Sequence, residues 1–372
     1  VKDWDYVVVG AGLFGSVFAQ RMVEMGRSAV VLDRRDHIGG NCYTYLDQAS
    51  HILVHKYGTH IFHTNDERVW WYVNRFTEFN SYHHCVWSRV GDRTYPIPVN
   101  LHTLNLFFNL DLTPETAVGF LERLREDIPH PRNLEEKALS LVGRDLYFAF
   151  FEGYTRKHWG CEPSELPPSI ISRLPVRTSY DNGYFTDRYQ GIPVDGYTPM
   201  FERMLKGADV ELHTDFLEDR AYWTARARRK VVYSGPLDAY FRNELGRLNW
   251  RSVYHEVKHH EVEDVQGCAV LNTPDRHVGH TRVHEPRHLH PERFGDLGAM
   301  SLTQTEYSRD GYDNPAYPVN APIDQELCQG YRALSRAEPN VIFGGRLARY
   351  VYHDMHQVIG AALAAVDKEF GP

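Results

Sequence analysis

Residues 7–15 read Val-Val-Val-Gly-Ala-Gly-Leu-Phe-Gly, and this stretch decides the fold of the first unit of the chain. An apolar run stops at Gly10, after which Gly10, Gly12 and Gly15 fall in the GxGxxG pattern of a strand that turns into a helix. The N-terminus of such a helix offers free backbone N–H groups and the positive end of its dipole to a pyrophosphate. Gly10 permits the tight turn, Gly12 lets the backbone approach the phosphates, and Gly15 lets the helix lie close to the sheet. A second strand over 28–33, Ser-Ala-Val-Val-Leu-Asp, ends in Asp33, roughly 20 residues past the glycines, where a carboxylate accepts hydrogen bonds from a ribose. Glycines and acid together predict a dinucleotide-binding unit rather than an ordinary glycine turn.

The chain has 372 residues and 42% hydrophobic content, enough for two or three cores. Its net charge is −8, which argues against a nucleic-acid partner held by general electrostatics. An anionic ligand must instead meet a local group of arginines. Five scattered cysteines (Cys42, Cys85, Cys161, Cys268 and Cys328) without a CxxC predict a reducing, cytoplasmic setting and no thiolate zinc site. The first strand starts near Tyr6, leaving no room for a signal peptide, and no apolar stretch approaches the ~20 residues that span a bilayer, so a soluble chain without a membrane partner is expected. His60 and His63 lack a third ligand at usable spacing, so no metal site is expected.

Further along, Leu13 to Met25 is helical in pattern with Gly26 as its stop, and Val69 to Phe79 resumes helical periodicity. Thr113-Pro114-Glu115 is a strong helix start, and Asn133 with Glu136 is close to a capping box, so about 100–165 reads as a helical insertion. Val253 to Val262 partly alternates as a strand does, and Cys268 to Asn272 and Gly298 to Tyr307 also suggest strands of a largely antiparallel sheet. Val341 to Gly345 reads as a returning buried strand, and a helix from about Met355 to Phe370 closes the chain. The predicted fold is α/β. A discontinuous Rossmann-like domain takes 1–80, 205–240 and 318–372, a helical domain with a mobile lid takes 81–180, and an antiparallel sheet domain takes 181–204 and 241–317.

Several further segments carry a resemblance. They are His37-Ile38-Gly39-Gly40-Asn41, His55 to Thr64 (HKYGTHIFHT), Gly153 to Gly160 (GYTRKHWG), Asp187 to Pro193 (DRYQGIP), Tyr317-Pro318-Val319-Asn320, Gly344 to Ala348 (GGRLA) and Asp354-Met355-His356-Gln357. Together, in order and over nearly the whole chain, these resemble the bacterial UDP-galactopyranose mutase family. The resemblance implies FAD as cofactor, active when reduced, a homodimer, and an external reductant such as NAD(P)H or a reductase. It implies an isomerase that interconverts UDP-galactopyranose and UDP-galactofuranose through attack of the reduced flavin's N5 on the anomeric carbon. The hard covalent chemistry then belongs to the cofactor. The protein must hold the sugar, stabilise charge on the leaving diphosphate and keep it from escaping.

The same resemblance assigns residues. Arg173 and Arg282 match the two arginines that hold the diphosphate, a task suited to a forked guanidinium that stays charged, and His63 matches a histidine beside flavin and sugar. Tyr154, Tyr184, Tyr317 and Tyr352 match tyrosines at phosphate and sugar, Phe151 and Trp159 pack around the nucleoside, and Asn272 and His84 complete the substrate set. For FAD the matching residues are Gly10, Gly12, Phe14, Gly15, Asp33, Arg34, Gly40, Asn41, His60, Arg346, Tyr352, Asp354 and Met355. Arg173 follows Pro167-Pro168 in a segment with few strong helix signals, consistent with a lid.

The chain departs from the family pattern at Thr59, His84, His158, Cys161-Glu162-Pro163, Asp195 and His353. His84 stands where an asparagine is common, and exchanging amide for imidazole changes both size and hydrogen bonding at a sugar site. A related sugar nucleotide (fucose or arabinose, on UDP or TDP) is therefore the alternative substrate. Two other classes share the N-terminal signal. One is a flavin amine-oxidase-like oxidoreductase, which has no need for Arg173 and Arg282; the other is a non-enzymatic nucleotide-sugar or flavin binder.

Overall fold

The computed structural model describes residues 2–172 and 175–371. Its first unit is a five-stranded, all-parallel sheet in the order Val341–Phe343, Ala227–Tyr233, Trp4–Val9, Ala29–Leu32, Asp209–Glu211. Tyr6–Val9, Ala29–Leu32 and Val231–Tyr233 at the centre are apolar runs because both faces are covered there, whereas the edge strand Asp209–Glu211 is polar and Val341–Phe343, expected to be buried, is only partly so. Alternate residues serve opposite cores. Tyr6, Val8 and Val31 face one, with Phe18, Met22 and the helix Met355–Phe370; Val7, Val30 and Leu32 face the other, with Phe216 and Tyr240. The helix Leu13–Glu24 follows the first strand directly and packs on Met355–Phe370, so the two ends of the chain close one unit.

The second sheet has seven strands in the order Tyr317–Pro318, Trp250–His260, Ser301–Asp310, Arg282–His284, Val270–Asn272, Val86–Val90, Arg93–Ile97. Every pairing is antiparallel except that between Val270–Asn272 and Val86–Val90. A helical unit, Leu101–Phe108, Pro114–Leu124 and Leu134–Leu146, leads through a π-helical turn Tyr147–Glu152 into the helix Gly153–Trp159. Its caps follow the sequence. The Thr113 side chain accepts from the Thr116 N–H with Pro114 in the first turn, and Asn133 accepts from the Glu136 N–H.

The structure corrects several boundaries. The helical unit expected from residue 81 begins only at Leu101, because Val86–Val90 and Arg93–Ile97 pair as a hairpin at the edge of the second sheet. Val86, Tyr95 and Ile97 are buried there, while Asn100 starts the first helix with a capping box. Of residues 181–204, expected with the antiparallel domain, Gly183 and Tyr184 do lie beside Cys85 and His84 at the start of the edge hairpin, but 189–204 sits on the first unit. Tyr189–Gly191 pairs with Phe62–Thr64, and the helix Tyr197–Met204 buries Tyr197, Met200, Phe201 and Met204 in the core of that unit. The helix expected over 69–79 covers Glu67–Val73, started one residue earlier by Asp66, whose carboxylate accepts from the Val69 N–H.

A methyl group at Gly15 would lie 2.0 Å from the Gly10 carbonyl oxygen, a backbone atom that cannot move aside. Gly15→Ala is therefore expected to cost about 1–3 kcal/mol in a denaturant unfolding curve, through displacement of the first helix from the sheet; an unchanged midpoint would show that the helix is not clamped there.

Candidate active site

A cavity of about 470 Å³ opens at the carboxyl ends of the parallel strands, where α/β sheets bind their ligands. Ten of the residues expected at the cofactor line it: Gly10, Gly12, Phe14, Asp33, Arg34, Gly40, Asn41, His60, Arg346 and Met355. Asp33 does more than end a strand. Its Oδ2 accepts from the Ala11 N–H at 2.8 Å and its Oδ1 from the Arg35 N–H at 2.9 Å, so the carboxylate fixes both loops of the cavity mouth. Gly12 and Gly40 face each other across the opening, and a Cβ on Gly40 would come within 3.0 Å of the Gly12 Cα. The two backbones meet with no side chain between them, so this part of the cavity wall is bare backbone. Burial pushes the His60 ring down to about 4, so it is neutral, and its Nδ1 lies 2.7 Å from the Gly58 carbonyl.

Three of the expected cofactor residues sit elsewhere. Gly15 lies behind the cavity as the helix–sheet spacer. Tyr352 stacks on Tyr317 at 5.7 Å, and the Arg346 guanidinium lies 5.3 Å from the Tyr352 ring and 5.7 Å from that of Tyr317. Asp354 begins the last helix with a capping box to Gln357. Sequence reading also missed part of the wall. Ser234-Gly235-Pro236 lies there, and its signal was present, because a turn tripeptide follows the apolar run Val231-Val232-Tyr233. Asn314, which accepts from Arg35 at 2.6 Å, carries no local signal.

A second constellation lies on the seven-stranded sheet. Arg282 and Glu306 are direct partners across adjacent antiparallel strands, and His255 is the partner of Glu306 on its other side. The Arg282 Nε lies 3.0 Å from Glu306 Oε1, Thr281 Oγ1 donates to the same oxygen at 2.8 Å, and His284 Nε2 lies 3.2 Å from Oε2. Thr59, one of the departures from the family pattern, holds the other nitrogen of His284 at 2.7 Å. Burial alone would raise the Glu306 pKa, but the Arg282 guanidinium and the two histidines hold it well below the usual carboxylate range. Burial likewise opposes the charge on Arg282, and Glu306 overrides it, so that its pKa moves up. Burial drives His284 down to about 4 despite Glu306, which leaves the ring neutral. The result is one fixed cation with a compensating anion behind it. The atoms of His255, His284 and Glu306 lie close enough to suggest a metal cluster, but Arg282, Thr281 and Thr59 already use its main contacts. A second group, Asp264, Glu285 and His288, is likewise tied up, with Glu285 accepting from two backbone N–H groups and Ser301.

From Arg282 an aromatic wall extends in both directions. Arg282 donates to the Tyr154 hydroxyl, Tyr154 stacks on His158 at 5.9 Å and 10°, and His158 meets the edge of Tyr317 at 5.1 Å. Trp159 lies 6.4 Å from Tyr352. On the other side His84 packs against Tyr184 at 5.5 Å and takes a 3.1 Å hydrogen bond with the Tyr82 hydroxyl. Burial, with Arg282 next, lowers the His84 ring to about 3, so a neutral imidazole faces this region at any working pH. His63 stacks on Phe185 at 3.8 Å, and its Nδ1 lies 2.5 Å from Asp187, a partner that sequence reading missed. Asn272 is the strand partner of Arg282, and its buried Oδ1 has no hydrogen-bond partner among the described residues. Phe151 is at the edge of the helical core, brought there by the π-helical turn. Arg173 lies outside the described residues; beside it, in the segment expected as a lid, the short helix Ser169–Ser172 packs Ile171 into the helical core.

The helix Gly153–Trp159 and the strands Val270–Asn272 and Arg282–His284 thus bring Tyr154, Asn272 and Arg282 together at one cleft, and Tyr184, Tyr317 and Tyr352 join them from a loop, the strand Tyr317–Pro318 and the segment before the last helix. About a quarter of the Arg282 side chain stays exposed (27%), enough to meet a ligand. Such a cleft can hold an aromatic base by stacking and a phosphate by charge-assisted hydrogen bonds.

The chain is similar to known proteins over nearly its whole length. The sequence model of the UDP-galactopyranose mutase family matches residues 149–352, and that of NAD(P)-binding Rossmann-like domains matches residues 8–76. A probable UDP-galactopyranose mutase of Klebsiella pneumoniae is 41% identical over 99% of this chain and 95% of its own. The dTDP-fucopyranose mutase of Escherichia coli is 38% identical over 96% of each chain. The crystal structure of a reduced UDP-galactopyranose mutase has the same fold, with a TM-score of 0.77 at 13% identity over 100% of this chain and 94% of that one. The chain belongs to the UDP-galactopyranose mutase family, isomerases that act on sugar nucleotides.

Proposed function

We propose that the protein is a flavin-dependent mutase that converts UDP-galactopyranose to UDP-galactofuranose. The observation that carries this reading is Arg282, a guanidinium fixed by a buried carboxylate and a tyrosine hydroxyl at the edge of an aromatic cleft. FAD fits the cavity on the parallel sheet, because the bare backbone at Gly12 and Gly40 and the N-terminus of the helix Leu13–Glu24 suit a pyrophosphate and Asp33 suits a ribose. When bound and reduced, FAD supplies an electron-rich centre for the anomeric carbon. The chain supplies the rest. Arg282 takes up negative charge on the diphosphate as its bond to the sugar lengthens, and the Tyr154 hydroxyl beside it adds a donor. Tyr317, Tyr352 and Trp159 offer faces to the nucleoside. Asn272 Oδ1, buried without a partner, awaits a ligand donor, since leaving it unsatisfied costs about 1–3 kcal/mol. His84, neutral and with Nδ1 engaged by the Tyr82 hydroxyl, has Nε2 left for a single hydrogen bond to a sugar hydroxyl. Asp187 fixes the His63 tautomer by holding Nδ1. Arg173 serves as the second diphosphate arginine, the enzyme works as a homodimer, and an external reductant such as NAD(P)H or a reductase primes the flavin.

The same chemistry on dTDP-fucose or a UDP-pentose is the second reading, favoured by His84 and by the Escherichia coli relative that acts on dTDP-fucopyranose. Competition among UDP-galactose, UDP-arabinose and dTDP-fucose decides between them; turnover of UDP-galactose at least equal to that of its rivals is the expected result.

Purified protein should bind FAD and, after reduction by dithionite, convert UDP-galactofuranose to the pyranose in an HPLC assay without consuming reductant per turnover. Stoichiometric use of oxygen or NADPH would identify an oxidoreductase instead. Arg282→Ala should lower kcat/KM by about 100- to 1000-fold, as expected for removal of one donor to a developing oxyanion. Glu306→Ala should remove about 3 kcal/mol of stability and much of the activity, because it strands a partly buried guanidinium; a melting curve and an activity assay on the same sample check both.

A further inference from the structure

Lys157 reaches from the helix Gly153–Trp159 to the turn over 273–280. Its ammonium donates to the carbonyls of Thr273, Asp275 and His280, the last two at 2.8 Å each. An ammonium has three N–H bonds, and all three are used on one turn. Those carbonyl dipoles stand in for a carboxylate. That turn joins the strand Val270–Asn272 to the strand Arg282–His284, and Asn272 and Arg282 are register partners at its base. The helix carries Tyr154 and Trp159 from the opposite side of the cleft.

Two further contacts make the same joint. A Cβ on Gly153 would lie 2.2 Å from the Pro274 carbonyl oxygen, so helix and turn meet backbone to backbone. Arg276 on the turn lies 3.3 Å from the buried carboxylate of Glu152, which also pairs with Arg156 at 2.6 Å. Thr273 and His280 close the turn on itself at 3.1 Å. From this geometry we infer that Lys157 is a positioning residue, which locks the helix bearing Tyr154 and Trp159 to the strands bearing Asn272 and Arg282 and so sets the affinity for the nucleotide diphosphate. Burial costs the Lys157 charge some of its stability and brings its pKa down to about 8. The inference rests on the reading of this cleft as the nucleotide site.

The test uses full-length, FAD-loaded Lys157→Met, Lys157→Arg, Arg276→Ala and Arg282→Ala, with UDP, and dTDP in parallel, titrated calorimetrically. Lys157→Met should weaken UDP binding about tenfold, the scale of one charge-assisted hydrogen-bond site. It should raise KM with little change in kcat, the pattern of lost uniform binding. Lys157→Arg, which keeps the charge and several donors, should recover most of the affinity. A well-folded Lys157→Met with wild-type UDP and dTDP affinity would overturn the inference, as would a fall in kcat alone. If Lys157→Met does not fold, Arg276→Ala opens the same joint from the other side and should weaken UDP binding several-fold; unchanged affinity there overturns the inference. Arg282→Ala separates the two levels of the argument. If it binds UDP and dTDP as wild type does, the nucleotide reading of the cleft fails, and this inference with it.

Discussion

The Glu306 carboxylate is the constraint on which the rest of the site depends. A guanidinium placed in a partly buried cleft loses hydration, and it stays charged and oriented only with an anion behind it. Strand register provides that anion, setting Glu306 opposite Arg282 on one side and His255 on the other. The neighbouring groups are hydrogen-bonded in turn, Thr281 to Glu306 and Thr59 to His284, while Arg282 Nε is held to Glu306 by charge at 3.0 Å rather than by an aligned hydrogen bond. A guanidinium held in this way needs little reorganisation to meet a developing negative charge.

Two sheets with different logic supply the two halves of the site. The parallel sheet is covered on both faces at its centre and ends in loops that bring Gly10, Gly12, Gly39 and Gly40 to the cavity, a surface suited to a large dinucleotide. The seven-stranded sheet places alternating side chains on a cleft and lets register pair opposite charges. Arg346 belongs to both. It lines the dinucleotide cavity, donates to the carbonyls of His353 and Ala316, and lies against the rings of Tyr317 and Tyr352. Arg346 and the stacked tyrosine pair thereby connect the cavity on the parallel sheet to the cleft around Arg282.

The parts of this arrangement that were legible in the sequence are those written in local pattern. The glycines from Gly10 to Gly15, Asp33, the strand at Val341 and the last helix each announce themselves within a few residues, and both ends of the chain meet in the parallel-sheet unit. The helix starts at Thr113 and Asn133 were equally plain, because capping is a local hydrogen-bond problem. Glu306 was not legible. Its role arises from the register of three strands far apart in the chain, and a glutamate in an alternating strand looks like a solvent-facing residue. Asp187 was hidden for the same reason, since His63 meets it only when Tyr189–Gly191 pairs with Phe62–Thr64. The edge hairpin over 86–97 was absorbed into a helical unit because short strands carry weak periodicity and take their identity from the sheet they join.

The central claim is that the sugar and its nucleotide part company within the cleft while Arg282 retains the diphosphate. Positional isotope exchange tests it most directly. UDP-galactopyranose labelled with heavy oxygen in the bridge between the anomeric carbon and phosphorus is incubated with the reduced holoenzyme and followed by phosphorus NMR. The account predicts that label moves from the bridge to the non-bridging oxygens of the β-phosphate, without exchange against free UDP. Label that stays in the bridge through many turnovers would contradict it.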